Sequence, residues 1–135
     1  RYFRNNFAYS YSWTDDIIMS MKLPNRKNAI IRREKLTKYL LSQTHRDGKS
    51  KAKFLNIIGF NYTNIDMLEH ALLEIGRSNE VKEVDKRKKK IVIKYVINGV
   101  IDAPNGNKYN VMTVWAIDAG SKIPHLTTIR PIPVV

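Results

Sequence analysis

Hydrophobic residues recur three and four positions apart through the middle of the chain, and this spacing predicts three helices, over residues 33–42, 50–59 and 64–76. In the first, Leu36, Tyr39 and Leu40 form one apolar stripe on an otherwise charged segment. The other two begin at Ser50 and near Asn64, whose side chains can cap free backbone N–H groups, and each ends at a glycine.

After residue 76 the alternation changes to a period of two, which is typical of strands. Strands are predicted over residues 80–86, 90–102, 109–117 and 126–129, with turns at 104–107 and 118–121 between the last three. Pro131 and Pro133 are expected to end the last strand. The order predicts an α+β fold, in which two or three N-terminal helices pack on a C-terminal antiparallel sheet of three to four strands.

The N-terminal stretch lacks a sustained helical period and is rich in asparagine, serine and aromatic residues. We therefore expect an arm or linker over residues 1–22 and a single domain over residues 23–135. The chain starts at Arg1 without an initiating methionine, so we expect it to be cut from a longer protein. No apolar run approaches the ~20 residues that span a bilayer, so no membrane-spanning segment is expected.

The net charge of the chain narrows the classes of molecule that it can bind. The 135 residues carry 24 Lys and Arg against 12 Asp and Glu, a formal net charge of +12. This excess predicts an anionic partner, which could be a nucleic acid, an acidic membrane surface or an acidic protein. The chain has no cysteine, and its three histidines are far apart without a metal-binding motif, so no cofactor or metal is expected.

The segment 44–53 concentrates the candidate chemistry, because it places a histidine, several cations and a hydroxyl around Gly48. A helix N-terminus near Ser50 would present unpaired N–H groups to a phosphate. RNA suits this set of groups, since its own 2′-OH is the nucleophile and no metal is needed to supply one. What the reaction requires is proton transfer and stabilisation of the pentacoordinate phosphorane.

Roles follow from residue type. His45 is the candidate acid/base, and Lys51 is the candidate phosphate clamp. Further hydroxyls could come from Ser50 and from the strand residues Thr113, Thr127 or Thr128. The candidate substrate-binding residues of this set are Arg46, Lys49, Lys53 and Trp115. Two of these residues have ordinary structural interpretations, because a lone loop histidine often has no role and a tryptophan in a central strand is commonly buried.

Several motifs from Leu23 onward resemble a toxin-associated domain found at the C-terminal tips of large secreted bacterial effectors, including contact-dependent growth inhibition (CdiA-type) proteins. The matching segments are Leu23-Pro24-Asn25, Tyr39-Leu40-Leu41-Ser42, His45 with Gly48-Lys49-Ser50-Lys51-Ala52-Lys53-Phe54, Thr113-Val114-Trp115, and Pro124-x-Leu126-x-Thr128. In one departure, this chain has Arg130 where many members carry an aromatic residue, so a phosphate contact is one interpretation of Arg130.

The resemblance implies a fold of the barnase/EndoU/colicin/RelE ribonuclease type, with His45, Ser50 and Lys51 facing Thr113 and Thr128. It also implies secretion as the C-terminal part of a large effector, action on transfer RNA in the cytoplasm of the target bacterium, and a cognate immunity protein. The positive charge predicts that this immunity protein is acidic. Whether a host activating factor is required stays open.

The sequence thus predicts a metal-independent ribonuclease toxin that cleaves transfer RNA by 2′-OH attack. Two alternatives remain: a module that binds nucleic acid without cutting it, and a structural or adaptor domain of a secreted effector. A deoxyribonuclease is disfavoured, because DNA lacks the internal nucleophile.

Overall fold

The computed structural model of the chain describes residues 21–86 and 92–133. Three helices precede a four-stranded antiparallel sheet, which confirms the predicted α+β class. The predicted arm falls almost wholly outside the described residues, as does most of the basic run 86–90.

The helices are α1 (Arg33–Lys35), which runs directly into a π-helical segment (Leu36–Leu40), α2 (Lys49–Ile58) and α3 (Ile65–Ser78). Short 3-10 turns cover Arg26–Asn28 and Tyr62–Asn64. The strands are β1 (Glu83–Asp85), β2 (Val92–Asp102), β3 (Lys108–Asp118) and β4 (His125–Pro131). They pair in the order β1-β2-β3-β4, so each strand lies beside its neighbours in sequence.

The core packs the π-helical segment, α2 and α3 against one face of the sheet. Ile97 pairs with Thr113, and Tyr95 with Trp115, so that alternate residues of both strands point to the same face. Trp115 is fully buried, and a Cβ added to Gly76 of α3 would lie 2.5 Å from its ring. Gly76 therefore permits a close approach between helix and sheet, and α3 continues past it to Ser78 where the sequence predicted a stop.

The predicted helix start near Asn64 is confirmed, because Asn64 is the N-cap residue of α3, but the start predicted at Ser50 differs by one residue and in its cap. Ser50 lies inside α2, which begins at Lys49. The N-cap residue is Gly48, so no N-cap side chain accepts a backbone N–H at this helix start. The third helix is preceded by a capping box in which Asn61 accepts the N–H of Thr63 and Asn64 accepts the N–H of Asn61, each at 2.8 Å. The predicted end of α2 is confirmed, because Gly59 has a left-handed φ of 112°.

Strand β4 forms the last strand of the described sheet, and it is longer than predicted. Pro131 pairs with Val111 at its end, a position that proline tolerates where no partner needs its missing N–H. At the other end of β4, Ile30 donates its N–H to the Pro124 carbonyl at 3.0 Å and accepts the N–H of Leu126 at 3.1 Å. A β-bulge between Val114 and Trp115 interrupts the register beside Thr128.

Gly76→Ala tests the contact between α3 and β3. Alanine normally stabilises a helix interior relative to glycine by ~1 kcal/mol. Here the added methyl group meets the Trp115 ring, so we expect the substitution to lower the free energy of unfolding by about 1–3 kcal/mol. Urea unfolding followed by circular dichroism measures this, with the exposed α2 substitution Asn56→Ala as the control. A stabilised Gly76→Ala variant would contradict the packing described here.

Candidate functional site

A close backbone contact folds the loop between the π-helical segment and α2 back over Tyr39. A Cβ on Gly48 would lie 2.1 Å from the Tyr39 carbonyl oxygen, so only glycine fits at this position without rearrangement. Inside the loop, the Ser42 hydroxyl accepts the N–H groups of Thr44 at 3.2 Å and His45 at 3.0 Å. The loop is therefore held by its own backbone donors and lies directly against Tyr39.

His45 closes this loop with its side chain. Its Nδ1 accepts the N–H groups of Asp47 and Gly48, each at 3.0 Å, and its carbonyl accepts the N–H of Lys49. The imidazole thus satisfies backbone donors just before α2, the task that a serine or aspartate N-cap commonly performs. Because Nδ1 acts as an acceptor, the neutral ring carries its proton on Nε2.

Tyr39 connects this loop to the sheet. Its ring meets the His45 ring edge-on, with the centroids 5.0 Å apart and the planes at 89°. Its hydroxyl lies 2.9 Å from Thr128 Oγ1 on β4. On its ring face, Lys35 Nζ lies 4.5 Å from the centroid, within cation–π range. One side chain thereby joins groups from the helical half and the sheet.

A cavity of about 300 Å³ opens beside Tyr39, and we name it the Tyr39 cavity. It is lined by Arg32, Glu34, Lys35, Lys38, Tyr39 and His45. Partial burial, and next the positive charge of Arg32, lower the pKa of Lys35 below its ordinary value. The cavity therefore combines cations suited to a phosphate with an amine that loses its proton more readily than a free lysine does.

A second cavity, of about 530 Å³, lies along the exposed side of α2, and we name it the α2 cavity. Its lining consists of Gln43, Lys49, Ser50, Lys53, Asn56 and Ile57. Three residues predicted to act beside His45 thus line a different cavity from the one that His45 lines. Lys51 is half-buried in α2 and belongs to neither of these two cavities among the described residues.

The strand residues divide between the two faces of the sheet. Thr128 meets the site through Tyr39, and Arg130 is exposed two positions further along the same strand. Thr113 is fully buried, where its hydroxyl donates to the Ile97 carbonyl at 2.7 Å and accepts the Trp115 indole N–H at 2.8 Å. Both groups are occupied in the core, so we leave Thr113 and Trp115 out of the proposed site.

Arg46 points into solvent near the loop tip. Its side chain is 91% exposed, and its Nε lies 3.7 Å from Asp47 Oδ1. Such a surface pair restrains the arginine weakly, so Arg46 remains free to meet an incoming anion.

Sequence reasoning missed Lys35 and Tyr39. Tyr39 was assigned to the apolar stripe of the first helix, and Lys35 was given no role. Their separation of four residues is the usable signal, because it places an amine and a phenol on the same face of a helical turn.

The remaining polar groups of the described residues do not form a metal site. His125 Nε2 lies 3.2 Å from Asp118 Oδ2 at the far end of β4. Within residues 21–86 and 92–133, no three His, Cys, Asp or Glu side chains converge as metal ligands would. In the same part of the chain, none of the helices combines the length and the apolar character needed to cross a bilayer.

The chain belongs to the family described as "Domain of unknown function (DUF6883)", whose model matches residues 22–132. No curated protein matches it. Among solved structures, it is similar to a chain of the contact-dependent growth inhibition toxin–immunity protein complex from Klebsiella pneumoniae 342. That similarity has a TM-score of 0.60 at 9% sequence identity, and it covers 81% of this chain and 97% of the other. The likeness at this identity concerns the fold, and it agrees with the predicted α+β class.

Two substitutions at His45 distinguish the capping contacts of Nδ1 from the contribution of Nε2, the other ring nitrogen. His45→Ala removes the acceptor for two backbone N–H groups, and we expect it to lower the free energy of unfolding by about 1 kcal/mol. His45→Asn keeps an acceptor near the position of Nδ1, so we expect most of that stability to remain. Urea titration of both variants measures the difference. Equal loss in the two variants would contradict the capping role.

Proposed function

We propose that this chain is a toxin domain with metal-independent endoribonuclease activity, and that the reaction takes place in the Tyr39 cavity. The observation that carries the proposal is the convergence of Lys35, His45 and Thr128 on Tyr39, beside a cavity whose lining also includes Arg32 and Lys38. These are groups that can move a proton and stabilise a phosphorane, and they come from parts of the chain up to 93 residues apart in sequence, from Lys35 to Thr128.

The reaction we propose begins with attack of the RNA 2′-oxygen on the adjacent phosphorus. Lys35 in its neutral form accepts the 2′-OH proton. The bond from phosphorus to the 5′ oxygen then breaks, and the Tyr39 hydroxyl, held by Thr128, donates a proton to that leaving oxygen. The products are a 2′,3′-cyclic phosphate and a 5′-hydroxyl. Arg32 and Lys38 neutralise charge on the phosphoryl oxygens in this scheme.

His45 takes a donor role in this scheme. With Nδ1 accepting two backbone N–H groups, Nε2–H is the imidazole group left to hydrogen-bond a phosphoryl oxygen. The sequence assigned His45 to proton transfer, and that assignment remains a prediction. It would require the ring to release its Nδ1 contacts or to exchange its tautomer during the reaction.

The biological context we propose follows from the resemblance, the fold and the charge. Transfer RNA in the cytoplasm of a target bacterium is the proposed substrate, and secretion as part of a large effector is the proposed route. The similar Klebsiella structure is a toxin–immunity protein complex, which supports an immunity protein as partner. A formal net charge of +12 favours an acidic partner that covers the cationic surface. An association rate that does not fall with added salt would contradict an electrostatic fit.

Total bacterial RNA incubated with purified protein in EDTA tests the activity. We expect the wild type to release discrete fragments of transfer RNA on a denaturing gel. Tyr39→Phe removes the hydroxyl that meets Thr128, and we expect cleavage to slow by about a hundredfold or more. Tyr62→Phe is the matched control, because that hydroxyl donates at 2.9 Å to the Thr37 carbonyl outside the cavity lining.

The outcomes separate the proposal from its alternatives. Cleavage by the wild type and Tyr62→Phe, but not by Tyr39→Phe, supports the assigned site. RNA that is bound but stays intact, both with purified protein and in a cell lysate that supplies host factors, would show a binding module. Cleavage that stops in EDTA would contradict the metal-independent chemistry.

The pH dependence tests Lys35. Since burial and Arg32 lower the pKa of Lys35, its reactive neutral form is present at lower pH than for a free lysine. We expect kcat/KM to rise with pH as the neutral form of Lys35 becomes populated. Arg32→Gln removes one of the two causes, so the pKa of Lys35 rises and the ascending limb moves to higher pH. Lys38→Gln, which removes a charge from the same lining, should weaken activity without moving that limb. An unmoved limb in Arg32→Gln would contradict Lys35 as the base.

A further inference from the structure

The residues that line the α2 cavity take no part in the proposed reaction. Its residues 49, 50, 53, 56 and 57 follow helical spacing, so they form one continuous face of α2, and Gln43 of the preceding loop completes the lining. Its volume of about 530 Å³ exceeds the roughly 300 Å³ of the Tyr39 cavity. The lining therefore belongs to a single rigid helix and offers more room than the site beside it.

The positive charge along this face favours the binding of an anion. The cavity lining includes Lys49 and Lys53 and no acidic side chain. Neither lysine forms an ion pair with any residue in the part of the chain that the structure describes. Both amines are exposed, and one helical turn separates them, so they can approach one phosphate group or two successive ones.

Ile57 gives the face its second property. The residue is 69% exposed, the highest exposure among the large hydrophobic residues that the structure describes. It lies beside the amide of Asn56, and the amide of Gln43 faces the same cavity. An apolar surface flanked by amides matches a nucleobase, which presents a flat apolar face and hydrogen-bonding edges.

The two cavities adjoin through the loop that carries His45. Gln43 lines the α2 cavity and His45 lines the Tyr39 cavity, and two residues of chain span at most about 7 Å. A strand whose reacting phosphate lies beside Tyr39 can therefore continue into the α2 cavity over its next nucleotides.

We propose that the α2 cavity binds an unpaired nucleotide that flanks the cleaved bond, with Lys49 and Lys53 on its phosphate and Ile57 against its base. This inference rests on the proposed ribonuclease function and specifies the substrate class as single-stranded RNA. A base within a duplex is stacked and cannot present its face to Ile57.

Fluorescence anisotropy with a labelled RNA oligonucleotide tests the subsite by binding, in the Tyr39→Phe background, in which cleavage is slow, and in EDTA. We expect the single strand to bind more tightly than the same sequence in a duplex. Lys49→Gln with Lys53→Gln should weaken single-strand binding by about tenfold and reduce the salt slope by about two units. Lys27→Gln with Lys122→Gln removes the same charge from exposed positions away from the cavity and is the matched control.

Ile57→Ala tests the base contact separately from charge. We expect it to weaken binding of the oligonucleotide and to leave binding of inorganic polyphosphate unchanged. In the cleavage assay with Tyr39 intact, the α2 variants should raise KM and leave kcat near the wild-type value.

Each result bears on the subsite independently of catalysis. Variants at positions 49, 53 and 57 that bind RNA like the lysine control would overturn the subsite, whether or not the wild type cleaves RNA. Loss of a protein partner's binding with RNA affinity unchanged would overturn it in favour of a protein-docking face. RNA affinity that falls as predicted, in a protein that does not cleave RNA, would support the cavity as an RNA site and contradict the ribonuclease proposal alone.

Discussion

Contact between the backbones of Gly48 and Tyr39 determines where the groups of the Tyr39 cavity lie. The chain can fold back here because position 48 has no Cβ; a methyl group would lie 2.1 Å from the Tyr39 carbonyl oxygen. The contact brings His45 to the edge of the Tyr39 ring and places the start of α2 against the π-helical segment. Tyr39 then extends to Thr128, so the same contact fixes the helical half of the site relative to β4.

His45 illustrates how stability and chemistry share one side chain. One ring nitrogen satisfies backbone donors that would otherwise lack partners at the start of α2. That contact fixes the tautomer and leaves the other nitrogen as a donor. A loop histidine whose orientation is set by its own backbone can meet a phosphate without first losing conformational entropy, which is the advantage of preorganisation in charge stabilisation. Lys35 contributes differently, because its partial burial and Arg32 make its proton easier to release.

Periodicity was sufficient to predict the fold class, because the change from helical to alternating spacing after residue 76 is strong and every strand pairs with its neighbour in sequence. Periodicity could not predict the tertiary contacts that single residues make. Gly76 resembled a helix stop, but its lack of a side chain serves the contact with Trp115. Ser50 resembled a cap, but His45 satisfies the nearby N–H groups instead.

The same limit applies to the site. The segment around His45 could be identified from its composition, and Thr128 could be named as a hydroxyl on a strand. The contact with the Tyr39 hydroxyl decides that Thr128 meets the helical half, whereas Thr113 is buried on the same face of β3 as Trp115. Sequence spacing does not contain the reach of Tyr39, because that contact joins residues 89 positions apart in the chain. The separation of Lys49 and Lys53 from His45 likewise follows from the direction of α2, which local pattern does not specify.

Mass spectrometry of the RNA ends produced by the protein in EDTA tests the central claim most directly. Attack by the 2′-oxygen predicts fragments that carry a 2′,3′-cyclic phosphate at one new end and a 5′-hydroxyl at the other, and it predicts no cut where the nucleotide at the scissile bond is 2′-deoxy. Fragments with a 3′-hydroxyl and a 5′-phosphate, or cleavage that persists at the 2′-deoxy position, would contradict the account.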